Sequence, residues 1–332
     1  MQRFMNQGDM IVDDMLKGYA KAHKDQIHIS SENNHVVVKN TLKKAKVGIV
    51  SGGGSGHEPC FLGYVGENML DAVAVGEVFS SPPATTFHQA FLEADSGAGV
   101  ACLFGNYAGD NMNVKMAIQM AAMDGVEVKY VTANDDLASA PKTEKEKRHG
   151  IAGSLFMWKI ACAKANLGAS LDEVIDIAQR TVDQTRSICV GLTSCSIPAV
   201  GHANFEIKEG TMEYGIGHHG EPGITVKELK PANEIGKELS EYILNDLELV
   251  DGEEIAVIVS GLGGTPLMEL YVLYDAIEDY FASRNIKVYK SYVGDYVTSL
   301  EMRGAALTVL RLNDEFKQLL EVPVDCVGVK QK

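Results

Sequence analysis

Residues 46–59 read KVGIVSGGGSGHEP, a short apolar run that opens into a glycine-rich segment. The apolar run at Lys46–Ser51 predicts a buried β-strand, and the glycines after it predict a loop at the carboxyl end of that strand. Glycine lets main-chain N–H groups approach a ligand closely, and Pro59 ends any regular element. Because ligands of α/β sheets sit beyond such strand ends, the stretch indicates both a fold class and a pocket.

Three other stretches set glycines beside residues that carry chemistry. Val100–Phe104 leads into GNYAGDN at residues 105–111, and Ala256–Val259 leads into SGLGGTP at residues 260–266. Residues 215–223 read GIGHHGEPG, which again frames histidine with glycine and includes Glu-Pro. We expect the two histidine motifs to form two walls of one active site.

Apolar β-branched runs alternate with longer amphipathic stretches along the chain, which predicts an α/β fold. The predicted strands are His35–Lys39, Lys46–Ser51, Val100–Phe104, Val126–Val131, Glu254–Ser260, Ile286–Val293 and Ala305–Leu312. The predicted helices are Ile11–Ala22, Pro83–Asp95, Asn111–Asp124, Gly150–Ala165, Leu171–Arg186, Val226–Asn245, Pro266–Ser283 and Asp314–Leu320.

The 332 residues are enough for two domains, because single cores rarely grow beyond about 250–300 residues. We place the boundary after the helix predicted at Leu171–Arg186. The N-terminal α/β domain, 1–186, then carries His57 and Asp110, and the C-terminal α/β domain, 187–332, carries His219. No low-complexity linker separates them, so we expect two packed α/β domains with mixed sheets flanked by helices.

The net charge of −15 at pH 7 argues against binding to nucleic acid or to an anionic membrane. The six cysteines form no C-x-x-C pair and lie mostly in apolar runs, which is typical of free, buried thiols in a reducing cytoplasm. No apolar run has the length of a membrane span, and residues 1–9 lack the apolar core of a signal peptide. These features predict a cytoplasmic protein without a membrane partner.

The glycine run at residues 52–56 suggests a phosphate loop, but His57 stands where the Walker A motif requires lysine. The second loop matches G-x-G-x-x-G at Gly215, Gly217 and Gly220, yet Glu-Pro-Gly follows where a helix should begin. Neither loop therefore favours nucleotide binding by this chain. Main-chain N–H groups of the first loop remain available for a ligand hydroxyl or phosphate.

Polar residues at three places in the chain are candidates for chemistry. His57 is either a loop histidine bonded to its own backbone or a functional group, and its place at a strand end favours the functional role. His218 and His219 are adjacent and would point to opposite sides of the backbone, so a shared zinc ion is disfavoured and no metal site is predicted. Asp110 either caps the predicted Asn111 helix or acts in catalysis, and the two roles are compatible.

Taken together and in order, seven motifs resemble the DhaK subunit of the dihydroxyacetone kinase family. They are SGGGSGHEP, GEVFSSP, GNYAGDNMN, CSIPAVG, GHHGEPG, LGGTPLMELY and GDYVTSLEM. The resemblance runs from about Asn6 to Val327. It implies a two-domain α/β subunit that binds a short ketose, usually as a homodimer.

The resemblance also implies how the phosphoryl group arrives. The chain ends at Lys332 without the helical nucleotide domain of single-chain, ATP-dependent members, which favours the bacterial three-component arrangement. There a DhaL-type subunit carries ADP and magnesium, and DhaM, a protein of the phosphotransferase system, rephosphorylates the ADP. We therefore expect a phosphoenolpyruvate-dependent glycerone (dihydroxyacetone) kinase subunit with no cofactor on this chain.

Residue roles follow from the resemblance, motif by motif. His219 matches the residue that attacks the ketone carbon and forms a covalent hemiaminal, and its other ring nitrogen needs a carboxylate or carbonyl acceptor to set the tautomer. His57 matches the general acid/base. Asp110 matches the aspartate that activates the terminal hydroxyl for phosphoryl transfer. The expected substrate contacts are Gly53, Gly54, Ser55, Gly56 and Gly105.

Two positions depart from the family pattern. Gly105 replaces a lysine that many members have, which removes a cation and is expected to open space beside Asp110. His218 replaces a residue that is commonly aliphatic. Our hypothesis is a divergent paralogue that accepts a larger ketose, such as erythrulose.

A second function remains open, that of a ketose-sensing transcriptional coactivator resembling DhaQ. Such a protein needs only the covalent histidine, so the retention of His57 and Asp110 favours the kinase subunit. A non-covalent sugar-binding protein is a third, weaker alternative.

Overall fold

The structure of the protein is a computed structural model that describes residues 2–203 and 205–332. Its fifteen strands are β1 (Ile27–Ile29), β2 (Val36–Lys39), β3 (Gly48–Ser55), β4 (Gly66–Glu67), β5 (Ala72–Val78), β6 (Val100–Gly105), β7 (Val128–Ala133), β8 (Thr185–Gly191), β9 (Thr211–Tyr214), β10 (Thr225–Glu228), β11 (Glu254–Gly261), β12 (Lys287–Gly294), β13 (Gly304–Arg311), β14 (Val324–Cys326) and β15 (Lys330–Gln331). The α-helices are α1 (Ile11–Ala22), α2 (Ala84–Ala94), α3 (Ala108–Met123), α4 (Ser154–Asn166), α5 (Leu171–Asp183), α6 (Ala232–Leu247), α7 (Leu267–Ser283) and α8 (Asp314–Leu320).

The first sheet has the strand order β1-β2-β5-β3-β6-β7, with β3 at its centre. β3 runs parallel to both β5 and β6, whereas β2 is antiparallel to its two neighbours, β1 and β5, so the sheet is mixed. β3 continues to Ser55, so the prediction of a loop after Ser51 is wrong. The glycine run pairs in register with Ala74–Gly76 of β5, and a Cβ on Gly53 would lie 2.2 Å from the Phe61 ring.

The second sheet has the order β10-β9-β8-β13-β11-β12 and is also mixed, because only β11 and β12 pair in parallel. Mixed sheets flanked by helices confirm the predicted fold class. Two predicted helices were too long: Arg186 lies in β8, and Val226–Glu228 belong to β10. α6 begins only at Ala232, after Pro231, because proline is tolerated at the start of a helix but not inside it.

Helix α4 joins the two sheets through one hydrophobic core. Almost all of its residues are buried, so it lacks the polar face of a surface helix. The Trp158 indole N–H donates to the carbonyl of Leu103 in β6 at 2.9 Å, and the Phe156 ring lies 6.2 Å from that of Tyr292 in β12. The domain division at residue 186 stays a prediction, and it falls just inside β8.

The segment 322–331 returns to the first half of the chain. β14 pairs with β15 and with β4, and together they form a small third sheet. Asn68 Nδ2 donates to the carbonyl of Pro323 at 2.7 Å, across 255 positions of sequence. The Lys159 ammonium of α4 donates to the carbonyl of Val322 at 3.1 Å.

A buried ion cluster also connects the halves. The Arg148 guanidinium binds the Asp246 carboxylate of α6 through two hydrogen bonds of 2.9 and 2.7 Å, and Arg186 Nε donates to the same carboxylate at 2.6 Å. Arg148 is therefore fixed and 1% exposed. Its nearest basic neighbours in sequence, Lys145 and Lys147, are exposed.

Candidate active site

A cavity of about 320 Å³ lies where the carboxyl ends of β3 and β6 meet loops of the second sheet. Its lining includes Gly53, Gly54, His57, Gly105, Asp110 and His219. The structure therefore brings together all three predicted catalytic residues and three of the predicted substrate contacts. The two histidine motifs do form two walls of one cavity.

Ser55 and Gly56 do not line this cavity. The Ser55 hydroxyl donates to the carbonyl of Gly76 at 2.7 Å, and the Gly56 N–H donates to the Glu58 carboxylate at 3.1 Å. Gly56 has a φ of +99°, which only glycine adopts without strain. Both residues build the turn that carries His57.

His57 and His219 meet inside the cavity, with 3.1 Å between their Nε2 atoms and an angle of 70° between their rings. Nδ1 of His57 lies 2.6 Å from the backbone carbonyl of Thr298, to which it donates. In return, the Thr298 N–H donates to the carbonyl of His57 at 3.3 Å, and the Leu300 N–H donates to that of Gly56 at 2.7 Å. A segment of the second half of the chain thus fixes both the ring and the main chain of His57.

Glu221 orients His219. One carboxylate oxygen lies 2.9 Å from His219 Nδ1, and the other accepts the His219 backbone N–H, also at 2.9 Å. Burial opposes ionisation of Glu221, but the hydrogen bonds and charge of His219 outweigh it and lower the carboxyl pKa to about 2. The acceptor that the sequence left open, a carboxylate or a carbonyl, is the carboxylate of Glu221.

These contacts assign the protons of the two rings. Each Nδ1 donates to an oxygen, so each Nε2 carries a lone pair when its ring is neutral. At an Nε2–Nε2 distance of 3.1 Å the two lone pairs need one proton between them to form a hydrogen bond. A hydrogen bond between them would therefore add one positive charge to the pair, which the Glu221 carboxylate is placed to balance.

Aromatic rings fix the position of His219. The ring centroid of Phe79 lies 5.0 Å from that of His219, and the centroid of Tyr107 lies at 5.3 Å, both edge-on. Phe79 also stacks on His57 at 5.1 Å, and His149 stacks on Tyr107 at 4.6 Å. Packing on several sides restricts the rotamer of His219 before any ligand binds.

Sequence reasoning did not identify these supporting residues. Glu221, Phe79 and Tyr107 stand inside the motifs that carry the family resemblance, so the signal was present but gave no role. His149 stands in no motif of the sequence, and the structure places it beside Tyr107. Thr298 contributes a backbone carbonyl, which no side-chain pattern reveals.

Burial makes His57 and His218 favour the neutral form. Burial lowers the pKa of His57 well below its usual value, and the charges of His219 and His218 add to the effect. Burial also lowers the pKa of His218 to about 4, again helped by His219. A proton added to His57 therefore leaves the ring readily, which suits a residue that must donate a proton to a substrate.

Asp110 lies in the first turn of α3, which begins at Ala108 with Tyr107 as its N-cap residue. Asp110 is therefore not the N-cap. Its Oδ1 is buried and has no hydrogen-bond partner within residues 2–203 and 205–332. Burial raises the pKa of this carboxyl to about 6. An unpartnered acceptor that lines a cavity and titrates near neutrality fits a general base.

The two departures from the family pattern both line the cavity. A Cβ added at Gly105 would meet the carbonyl of Gly150 and the ring of Tyr107, each at 3.2 Å, so the backbone is closely packed here, and additional space beside Asp110 stays a prediction. His218 is 3% exposed, and its Nε2 lies 3.6 Å from the Cys189 sulfur. The His218 ring lies 5.8 Å from that of His57 and is one of the polar groups that line the cavity.

Within the described part of the chain, no cluster of three or more His, Cys, Asp or Glu side chains has the arrangement of a metal site. All six cysteines are free and buried, as predicted. Among the residues that the structure describes, 2–203 and 205–332, no helix is long and apolar enough to cross a membrane.

Known proteins resemble this chain over nearly its whole length. The Dak1 domain family matches residues 17–328. The PTS-dependent dihydroxyacetone kinase 1, dihydroxyacetone-binding subunit DhaK, of Listeria innocua is 40% identical over 99% of this chain and 100% of its own length. D-erythrulose kinase of Mycolicibacterium smegmatis is 35% identical over 100% of this chain but only 57% of its own length. Among solved structures, the dihydroxyacetone kinase operon co-activator Dha-DhaQ superposes with a TM-score of 0.90 at 30% identity, covering 96% of this chain and 98% of that one.

Proposed function

The chain belongs to the Dak1 domain family, and from that premise we propose that it is the ketose-binding subunit of a dihydroxyacetone-type kinase. It binds a short ketose covalently and presents a terminal hydroxyl for phosphoryl transfer from a partner subunit. The observation that carries the proposal is the His57–His219 pair, backed by Glu221 and opening on the same cavity as Asp110.

His219 forms the covalent bond. Its Nε2 lone pair attacks the ketone carbon, the carbonyl π electrons move to the oxygen, and that oxygen takes the proton that His57 Nε2 carries. The alkylated ring of His219 keeps one positive charge, which the Glu221 carboxylate neutralises through Nδ1–H. Only a carbonyl compound can react in this way, so the step selects ketoses over polyols such as glycerol.

Asp110 acts in the second step. It takes the proton of the terminal hydroxyl as that oxygen attacks the phosphorus of the donor. The Asp110 carboxyl, with its pKa raised to about 6, is ionised near neutral pH and still basic enough to accept this proton. Main-chain groups of Gly53, Gly54 and Gly105 supply contacts to the bound ketose.

A partner supplies the phosphoryl group. We assign ADP and magnesium to a DhaL-type subunit. We assign the rephosphorylation of that ADP, from phosphoenolpyruvate, to a DhaM-type protein of the phosphotransferase system. The proposal includes a cytoplasmic location and a homodimer of this chain. The full-length similarity to a PTS-dependent DhaK subunit supports the assignment of these partners.

The substrate is a ketose of three or four carbons, and we propose that the polar wall at His218 favours the longer one. A fourth carbon brings one more hydroxyl, which the His218 ring can meet. The similarity to a D-erythrulose kinase supports this choice. Turnover of dihydroxyacetone and erythrulose with the same partners tests it, and a strong preference for dihydroxyacetone would refute it.

The test of the function itself has two parts. Crystals soaked with dihydroxyacetone or erythrulose should show continuous density from His219 Nε2 to the ketone carbon. The purified chain should also phosphorylate a ketose when it is mixed with a phosphorylated DhaL-type system. Covalent binding without transfer to any ketose would instead support a coactivator, the role named for the similar Dha-DhaQ structure.

A further inference from the structure

Helix α3 carries a methionine-rich face with a single charged side chain, and the described part of the chain does not cover this face. Its exposed positions recur at helical spacing and form what we call the methionine stripe: Ala108, Met112, Lys115, Met116, Gln119, Ala122 and Met123. Met112 is 63% exposed, Met116 52% and Met123 81%. The opposite face packs inward through Val114, Ala117 and Ala121.

This face carries little charge for so acidic a protein. The chain has a net charge of −15, yet Lys115 is the one charged side chain in the stripe. By contrast, the exposed side of α5 bears Asp172, Glu173 and Asp176. Contiguous exposed apolar surface marks interaction sites, and methionine in particular adapts to a partner's shape.

The stripe is continuous with the mouth of the cavity. Ala108 is both an exposed member of the stripe and a residue of the cavity lining, and it is followed in the lining by Gly109 and Asp110. The stripe extends roughly 22 Å from this point, at a rise of about 1.5 Å per residue. A protein that reaches Asp110 from outside therefore meets Met112 and Met116 next.

We propose that the methionine stripe is the docking surface for the partner that carries the phosphoryl group on a bound nucleotide. The inference rests on the proposed function, because transfer requires the phosphorus to reach the hydroxyl held at Asp110. A stable interface covers about 800 Å² per partner, so the stripe, a surface of a few hundred Å², would be joined by the rim of the cavity. The stripe sets the affinity for the donor, and the cavity performs the chemistry.

The experiment measures ketose phosphorylation at increasing concentrations of the donor, a DhaL-type subunit whose bound ADP has been phosphorylated. Met112→Glu and Met116→Glu should raise the half-saturating donor concentration tenfold or more and leave kcat at saturating donor within about twofold, because a buried charge weakens docking but not the chemistry. Met123→Glu, roughly 16 Å farther along the helix than Met112, should have the smallest effect. Leu167→Glu, at the C-cap of α4, is the control, since Leu167 is 72% exposed and lies outside the stripe.

The outcomes separate this inference from the proposed function. An unchanged half-saturating concentration for Met112→Glu and Met116→Glu overturns the docking surface. So does a change in the chain's own oligomeric state without a change in donor affinity, because the stripe then joins two copies. If the wild-type chain transfers no phosphoryl group, calorimetric titration with the ADP-loaded subunit distinguishes the two proposals. Binding that Met112→Glu abolishes supports the stripe as a docking surface and refutes the proposed function. No binding by the wild-type chain refutes both.

Discussion

The proton between His57 and His219 determines what the site can do. With no shared proton, His219 Nε2 is a free nucleophile but the new alkoxide finds no acid. With a proton on each ring, the nucleophile is lost. One proton, carried by His57 Nε2, satisfies both needs, because it leaves the His219 lone pair for the ketone, and the charge of Glu221 favours that state. The separation of 3.1 Å between the two Nε2 atoms brings the acid and the nucleophile to the same carbonyl group.

Replacing Glu221 by glutamine should disable this arrangement. The Glu221→Gln variant lacks the negative charge that stabilises the shared proton, and the pair loses that proton at lower pH. We expect kcat/KM for the ketose to fall on the order of 10²–10⁴-fold and the alkaline limb of the pH–rate profile to move to lower pH. Steady-state kinetics across pH measures both effects.

Glu228→Gln provides the control, because Glu228 is an exposed residue of β10. A Glu221→Gln variant with wild-type kinetics and an unshifted profile would show that Glu221 does not orient His219.

Replacing Asp110 should separate binding from transfer. We expect Asp110→Asn to retain covalent ketose binding and to lose on the order of 10²–10⁴-fold in phosphorylation rate. In wild type, the rate should fall as pH drops through about 6, because the raised pKa of Asp110 then leaves the base protonated. Crystallography with bound ketose and pH–rate measurements test the two statements.

Asp172→Asn, at an exposed position of α5, is the matched control. Loss of both ketose binding and transfer in Asp110→Asn would contradict the separate role of the base.

Among the elements, β3 shows how closely the backbone is packed at the site. A Cβ on Gly53 would meet two atoms of the Phe61 ring at 2.2 Å, and Phe61 also lines the cavity. We expect Gly53→Ala to cost about 1–3 kcal/mol of unfolding free energy, as overpacking does, and to raise KM for the ketose. Urea unfolding and ketose kinetics provide the measurements.

The same substitution at Gly18 of α1 should act in the opposite direction. Nothing lies within 4 Å of a Cβ added there. Gly18→Ala should therefore stabilise the protein by about 0.5–1 kcal/mol, the helix propensity difference. A Gly53→Ala variant as stable as Gly18→Ala would refute the close packing of β3.

Elements with a strong period could be predicted from the sequence, and those defined by tertiary contacts could not. The bounds of α1 and α8 agree with the prediction residue for residue. β5 was missed because it is buried on both faces, and so short an apolar run has no period that identifies it. The first two residues of β8 fell within the predicted helix because a single residue, Gln184, separates this strand from α5 without glycine or proline.

For the site, too, local patterns could be predicted and tertiary contacts could not. The motifs pointed to His57, Asp110 and His219, because each of these residues stands in a recognisable local pattern. Their meeting point could not be read from the chain, since the contact of His57 with His219 spans 162 positions of sequence. The role of Glu221 depends on a side-chain conformation that spacing does not determine.

At the scale of the whole molecule, the Asp246 cluster holds the loop before α4 against α6. Removing the carboxylate leaves two buried guanidinium groups without a counter-charge. We expect Asp246→Asn to lower the free energy of unfolding by about 3–5 kcal/mol, the usual cost of breaking a buried pair. Urea unfolding measures the loss.

Asp275→Asn, at an exposed position of α7, is the matched control and should change stability little. An Asp246→Asn variant as stable as wild type would show that the cluster adds nothing to the contact between the halves.

The pairing of β4 with β14 has a consequence during translation. β4 leaves the ribosome long before its partner exists, because the contacts of this sheet reach across 255 positions. At roughly 5–20 residues per second the wait for that 255-residue separation is roughly 13–50 s. During that interval the nascent chain exposes an open strand edge, and a chaperone or a neighbouring chain on the same polysome competes with native closure.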